Sequence, residues 1–198
     1  GIAAASEAGP GGGGVRAARE IHRRCPDTRV IALSAHEDPD TVIAMLEAGV
    51  TEAAKNHRAL VVGNEAPNFS AGANLMLVLL EAQEGNWEEL DLMVRAFQRA
   101  VMALRCSPVP VVVAPGGLAL GGGCEIALHG DRVQAAGDTF MGLVEVGVGL
   151  IPAGAGTKVM VARAMSRLPS PTADPLPYVQ QAFETMALAK VSASGPDA

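Results

Sequence analysis

The segment that most restricts the fold is Val109-Pro110-Val111-Val112-Val113-Ala114, an uncharged run that leads into Leu118-Ala119-Leu120-Gly121-Gly122-Gly123-Cys124-Glu125. The run reads as an apolar strand, the glycines as a turn, and the acid as the opening of a helix starting near Cys124. Such a β-loop-α unit presents free backbone N–H groups at the helix start. A second acid, Glu145, stands just before Gly147-Val148-Gly149-Leu150-Ile151-Pro152. Two carboxylates converging on N–H donors are equipment for enolate chemistry.

The rest of the chain repeats the alternation of helix and strand. Trp87 to Arg105 is an amphipathic helix, with Leu90, Met93, Val94, Phe97, Val101 and Leu104 on one stripe, ended by Pro108 and Pro110. Ala59-Leu60-Val61-Val62-Gly63 is a buried strand, preceded by a helix that Asp40 or Thr41 caps and that carries Val42, Ile43, Met45, Leu46 and Val50 on one face. Earlier still, Val15, Ala18, Ile21 and His22 share a helical face, Pro26 stops that helix, and Arg29 to Leu33 is a short strand. Ser70-Ala71-Gly72-Ala73-Asn74 is a small-residue loop followed by a helix, and a last helical pattern runs from Val179 to Lys190. Helices alternating with apolar strands predict an α/β domain with a largely parallel sheet.

Composition narrows the function classes. At 198 residues with 49% apolar content the chain can bury one ordinary core. A net charge of −6 argues against nucleic acid or an anionic membrane as partner and leaves a small molecule. Cys25, Cys106 and Cys124 form no Cys-x-x-Cys pair and His22, His36, His57 and His129 lack ligand spacing, so neither disulfide nor metal is expected. The longest apolar run, Val109 to Leu120, is broken by Pro115-Gly116-Gly117 and is too short to span a bilayer, and Gly1 to Ala5 lacks the charged start of a signal peptide. A cytoplasmic setting is expected.

Three stretches, Asn68-Phe69-Ser70-Ala71-Gly72-Ala73-Asn74-Leu75, Leu118 through Glu125, and Glu145 through Thr157, together resemble the crotonase (enoyl-CoA hydratase/isomerase) superfamily. The likeness is to the hydratase-type module that accompanies 3-hydroxyacyl-CoA dehydrogenase in some bacterial β-oxidation proteins, and it covers about residues 41–198. It implies a crotonase-like spiral core, truncated at both ends, since the family's opening strands are not recognisable before Thr41. It further implies that the N–H groups of Ala73 and Gly122 form an oxyanion hole for a thioester, and that Glu125 and Glu145 hold the water that adds to a 2-enoyl-CoA. Ala71, Gly72, Asn74, Leu75 and Gly121 would line the substrate. Acyl-CoA is then the substrate rather than a cofactor, and no other cofactor is implied. Relatives assemble as trimers or dimers of trimers, so a trimer-based homo-oligomer is expected. Asn74 stands where many relatives carry Asp, and Ala155 interrupts the usual glycine run.

Residues 1–40 read differently. Pro10-Gly11-Gly12-Gly13-Gly14-Val15-Arg16 onward, and Val30-Ile31-Ala32-Leu33-Ser34-Ala35-His36-Glu37, resemble part of a response-regulator receiver domain, with Ser34 at its switch hydroxyl. Ser6 stands where the phospho-acceptor aspartate would fall and the magnesium-binding acids are missing, so a phosphorelay is not expected. The expected organisation is a receiver-like αβ fragment or foreign N-terminal extension, residues 1–40, joined to a crotonase-like domain incomplete at both ends, residues 41–198. The function classes left open are a hydratase, an isomerase, and a non-catalytic chimeric fragment. The second glutamate favours the hydratase.

Each residue also has a plainer role to set against this. Glu125 could merely complement a helix dipole, a contribution of about 0.3–1 kcal/mol. Glu145 alone is an ordinary loop acid, and Gly121-Gly122-Gly123 alone is a tight turn. Cys124 reads as a small buried residue, and Gly154-Ala155-Gly156-Thr157-Lys158 has the wrong order for a phosphate loop.

Overall fold

In the computed structural model the described residues are 23–24, 29–32, 39–64 and 66–198. The receiver-like match therefore lies almost wholly outside them, apart from a strand at Arg29–Ala32 and a helical Arg23-Arg24.

Strand β1 (Arg29–Ala32) leads to helix α1 (Pro39–Asn56), which begins at a proline whose missing N–H costs nothing there. Strand β2 (Leu60–Gly63) follows, then α2 (Leu75–Glu84), α3 (Trp87–Arg105), β3 (Val111–Ala114), β4 (Leu118–Leu120) and α4 (Gly122–His129). Short strands β5 (Arg132–Val133) and β6 (Phe140–Gly142), a 3₁₀ turn at Glu145–Val148, α5 (Gly156–Ser166) and α6 (Leu176–Ala187) complete the body.

One sheet has the order β1-β2-β3-β5 and a second pairs β4 with β6, every pairing parallel. All four residues of β2 are buried, as expected of an inner strand covered on both faces. The expected strand from Val109 is present as β3 in the first sheet, and a further strand not expected from the sequence, Leu118–Leu120, follows the turn at Pro115-Gly116-Gly117 and joins the second. The tight point is Gly117, at φ +59, where a Cβ would collide with the Pro67 carbonyl. The helix near Asp40 is also longer than its apolar stripe, reaching Asn56.

The main core lies where α1 and α3 pack together on the first sheet, and it joins Leu46, Leu60, Val62, Val101, Leu104, Val111, Val113 and Ile126. A second cluster joins Cys124, Leu128, Leu143, Val159 and Met186. Helix α4 supplies residues to both, and from Gly123 to His129 it is buried on every side. Helix α2 has no buried residue. Among the described residues no helix is long and apolar enough to cross a membrane.

Candidate active site

The site is assembled at the first turn of α4. Glu125 N donates the first helical bond, 3.0 Å to the carbonyl of Gly121. The amides of Gly122, Gly123 and Cys124 therefore precede the hydrogen-bond ladder, and they carry the positive end of the helix dipole. Gly121 occupies φ +53, ψ −123, a conformation closed to L side chains, and its own N–H is held by Gly142 O at 2.9 Å.

The loop at Ser70–Ala73 is fastened against this turn. Ser70 N donates to Leu118 O (2.8 Å) and Leu120 N to Ser70 O (2.9 Å), a bridge that continues the second sheet. Ser70 Oγ accepts from Gly72 N at 3.1 Å. The two loops meet so closely that a Cβ on Gly121 would lie 3.7 Å from Gly72 Cα, and one on Gly123 only 2.6 Å from Ser70 Cβ. Ala73 and Gly122 thus belong to adjoining stretches of backbone. Ala71, Gly72, Ala73 and Leu75 are exposed, and Gly121 is buried. Asn74 caps α2: its Oδ1 accepts from Met76 N (3.2 Å) and Leu77 N (3.3 Å), so that acceptor is already engaged.

Glu125 is 2% exposed. Its Oε1 accepts from Gly156 N at 2.8 Å, at the start of α5, and a Cβ on Gly154 would collide with Oε2. Its carboxyl is pushed up to about 7, by burial first, against the opposing pull of the Gly156 amide, with the Glu145 charge adding to the rise and the Gly154 amide countering it. Glu145, on the 3₁₀ turn, is half-buried and brings Oε1 to 3.2 Å from the place a Gly121 Cβ would take. Burial raises its carboxyl too, opposed by the amides of Glu145 and Val144. Its Oε2 is buried and without a hydrogen-bond partner among the described residues.

The structure therefore brings Glu145 against Gly121 and sets Glu125 one turn of helix away, with the Ser70–Ala73 loop alongside. Burial, then Glu145 and then Glu125, push the neighbouring Cys124 thiol up to about 12, which makes it an inert packing residue rather than a nucleophile. His129, one of the histidines without ligand spacing, is fully buried, and its ring Nδ1 lies 2.7 Å from Glu125 O.

Several residues that matter here carry no signal in the sequence. Phe97 lies on the expected apolar stripe, but its ring packs under Gly122 and Gly154. Gln98 Nε2 donates to Ala153 O at 2.7 Å, a contact between segments far apart in the chain. Gly156 acts as a donor only because α5 starts against α4. Among the described residues no three His, Cys, Asp or Glu side chains are grouped to hold a metal ion.

Comparison with known proteins bears on this geometry. The profile of the family described as Enoyl-CoA hydratase/isomerase matches residues 32–169. A Bacillus subtilis protein named Probable 3-hydroxyacyl-CoA dehydrogenase is 45% identical over 157 residues, covering 79% of this chain and 19% of that one. The mitochondrial methylglutaconyl-CoA hydratase of Homo sapiens is 37% identical over 105 residues, covering 52% of this chain and 30% of that one. Among solved structures, an enoyl-CoA hydratase from Polaromonas sp. JS666 superposes with a TM-score of 0.70 at 25% identity, over 84% of this chain and 62% of that one. The chain spans about a fifth of the length of the first curated relatives it matches.

Proposed function

Because this chain belongs to the enoyl-CoA hydratase/isomerase family, we propose that it carries the hydratase reaction, adding water across the double bond of a 2-enoyl-CoA in fatty-acid β-oxidation. In this reading the thioester oxygen accepts hydrogen bonds from the amides of Ala73 and Gly122, where negative charge builds as the enolate forms. Glu125 and Glu145 share one proton. The ionised member takes a proton from water as its oxygen bonds to the β-carbon; the protonated member gives its proton to the α-carbon, so the net change is the addition of water.

One observation carries the reading: the half-buried Glu145 abuts Gly121 at the turn that opens the helix of the buried Glu125, and the charge of Glu145 raises the affinity of Glu125 for a proton. Burial raises both carboxyls, Glu125 to about 7, which suits an acid and a base working side by side. The unpartnered Oε2 of Glu145 supports it further, since a buried carboxylate oxygen without a donor is costly unless a bound molecule supplies one.

The test is hydration of crotonyl-CoA by the purified chain, with Glu125→Gln and Glu145→Gln each expected to lower kcat by roughly 100- to 10,000-fold. Migration of the double bond in a 3-enoyl thioester without hydration would replace this reading with isomerisation. Inactivity toward both would leave a non-catalytic chain. The same reading includes a trimer-based assembly and, in a longer protein, a 3-hydroxyacyl-CoA dehydrogenase module. Support for assembly comes from α2, which exposes Leu75, Met76, Leu79 and Leu80 to solvent, an apolar strip of the kind that association covers. Sedimentation of the chain at micromolar concentration should give a trimer mass, and a monomer would remove that part.

A further inference from the structure

Every polar residue of α3 is exposed except one. Glu88, Glu89, Asp91, Arg95, Arg99 and Arg105 face solvent, whereas Gln98 is half-buried. Its amide Nε2 donates to Ala153 O at 2.7 Å, across to the segment that precedes α5. That segment is the cradle of Glu125. Gly156 N bonds Oε1 at 2.8 Å, and Gly154 is wedged so tightly between Oε2 and the Phe97 ring that any side chain there would collide with both. The neighbouring Phe97 therefore sets one face of the 153–156 segment while Gln98 holds its carbonyl.

We infer that Gln98 is a positioning residue for the Glu125 carboxyl, acting through the Ala153–Gly156 segment that it ties to α3. It touches neither the acid nor the proposed reacting atoms. The physical argument is one of leverage. A main-chain amide stabilises a carboxylate only while its N–H points at the oxygen, and this amide belongs to the turn that ends in an unusual αL residue, Ala155 at φ 75. A non-glycine residue in that region is disfavoured on its own, so the turn needs outside contacts to keep its shape. The Gln98 bond is a side-chain contact that fastens it directly from another element.

Freed from Gln98, the segment should relax and lose part of its hold on the charged form of Glu125. The Gly156 and Gly154 amides are the groups that favour that form, against burial and the charge of Glu145. The adjoining Cys124 stays protonated throughout and does not compete.

The inference rests on the hydratase reading only for its effect on rate, so the experiment has two independent readouts. The first is the titration of Glu125 by carbon-13 NMR of labelled glutamate side chains, its resonance assigned by its loss in Glu125→Gln. Gln98→Met keeps the length and helix preference of the side chain without the donor, and Gln98→Asn keeps the amide but withdraws it by one methylene. Both should raise the Glu125 midpoint by roughly half to one pH unit, the loss of part of one charge-assisted bond. The second readout is crotonyl-CoA hydration: kcat should fall by about tenfold with KM within twofold, and the alkaline limb of the profile should move to higher pH. A midpoint unchanged in both variants, or an Asn variant that titrates like the parent chain, overturns the role of Gln98. Absence of hydration in the parent chain overturns the hydratase reading instead, while the NMR titration still decides on Gln98.

Discussion

Glu125 places a functional demand on the fold that can be measured as stability. Its carboxyl rises from an ordinary 4.5 to about 7 on folding, so the folded chain holds a proton that the unfolded chain releases. Stability from this group is therefore lost as pH climbs from about 4.5 toward 7, and stays lost above that. Glu125→Gln removes the charge but keeps an oxygen for Gly156 N. It should stabilise the chain by up to about 3 kcal/mol at pH 8 and by nothing below about pH 4.5, measured as urea midpoints at the two pH values. One turn along the same helix the sign is reversed. Burial lowers the affinity of His129 for its proton, outweighing the Glu125 carbonyl, while Arg105, Lys158 and Arg163 lower it further. The unfolded chain takes up that proton first, so this group destabilises the fold as pH falls below the ordinary imidazole value. A variant with His129→Gln should lose the part of acid sensitivity that sets in near pH 6, and an unchanged acid limb would refute this.

At the scale of the element, the decisive feature is the close approach of two turns. The first turn of α4 rests on the Ser70 loop so tightly that Gly123 admits no Cβ, which would sit 2.6 Å from the Cβ of Ser70. A Cβ is fixed by its backbone, so rotation of Ser70 cannot relieve the clash; the turns must separate. Gly123→Ala should therefore cost about 1–3 kcal/mol in a denaturant titration. It should also lower hydration more than that stability loss explains, because it draws the backbone of Gly122 away from that of Ala73. Most elements here were legible beforehand. Trp87–Arg105 announces itself by a long apolar stripe, and Leu60–Gly63 by an unbroken run of apolar residues. Two were not. Leu118–Leu120 is too short to have a period of its own, and α5 opens on glycines and an αL alanine that look like loop.

For the whole molecule, the question is whether the segment upstream of β2 is part of the same cooperative unit. Strand β1 pairs with β2 in parallel register, and α1 sends Leu46, fully buried, into the core that also holds Val113 and Ile126. Leu46→Ala should then cost about 2–5 kcal/mol, the range for a buried leucine whose cavity does not collapse. The loss should appear as one shifted transition monitored through Trp87 fluorescence and far-UV dichroism together. Two separate transitions would show α1 unfolding by itself.

By itself the sequence determined what repeats or is locally encoded: the α/β alternation, the apolar strands, the glycine turn, and the pairing of Glu125 with Glu145 as acids worth following. The first three follow from side-chain periodicity and backbone freedom, which act over a few residues; the pairing of the two acids is what the family resemblance implies. Only the tertiary structure decided which backbone amides face Glu125, that Leu118–Leu120 pairs in a second sheet beside the valine-rich strand's own, and that Gln98 reaches a carbonyl on the far side of the site. Those facts depend on which surfaces pack together, and close packing is settled by the whole chain at once.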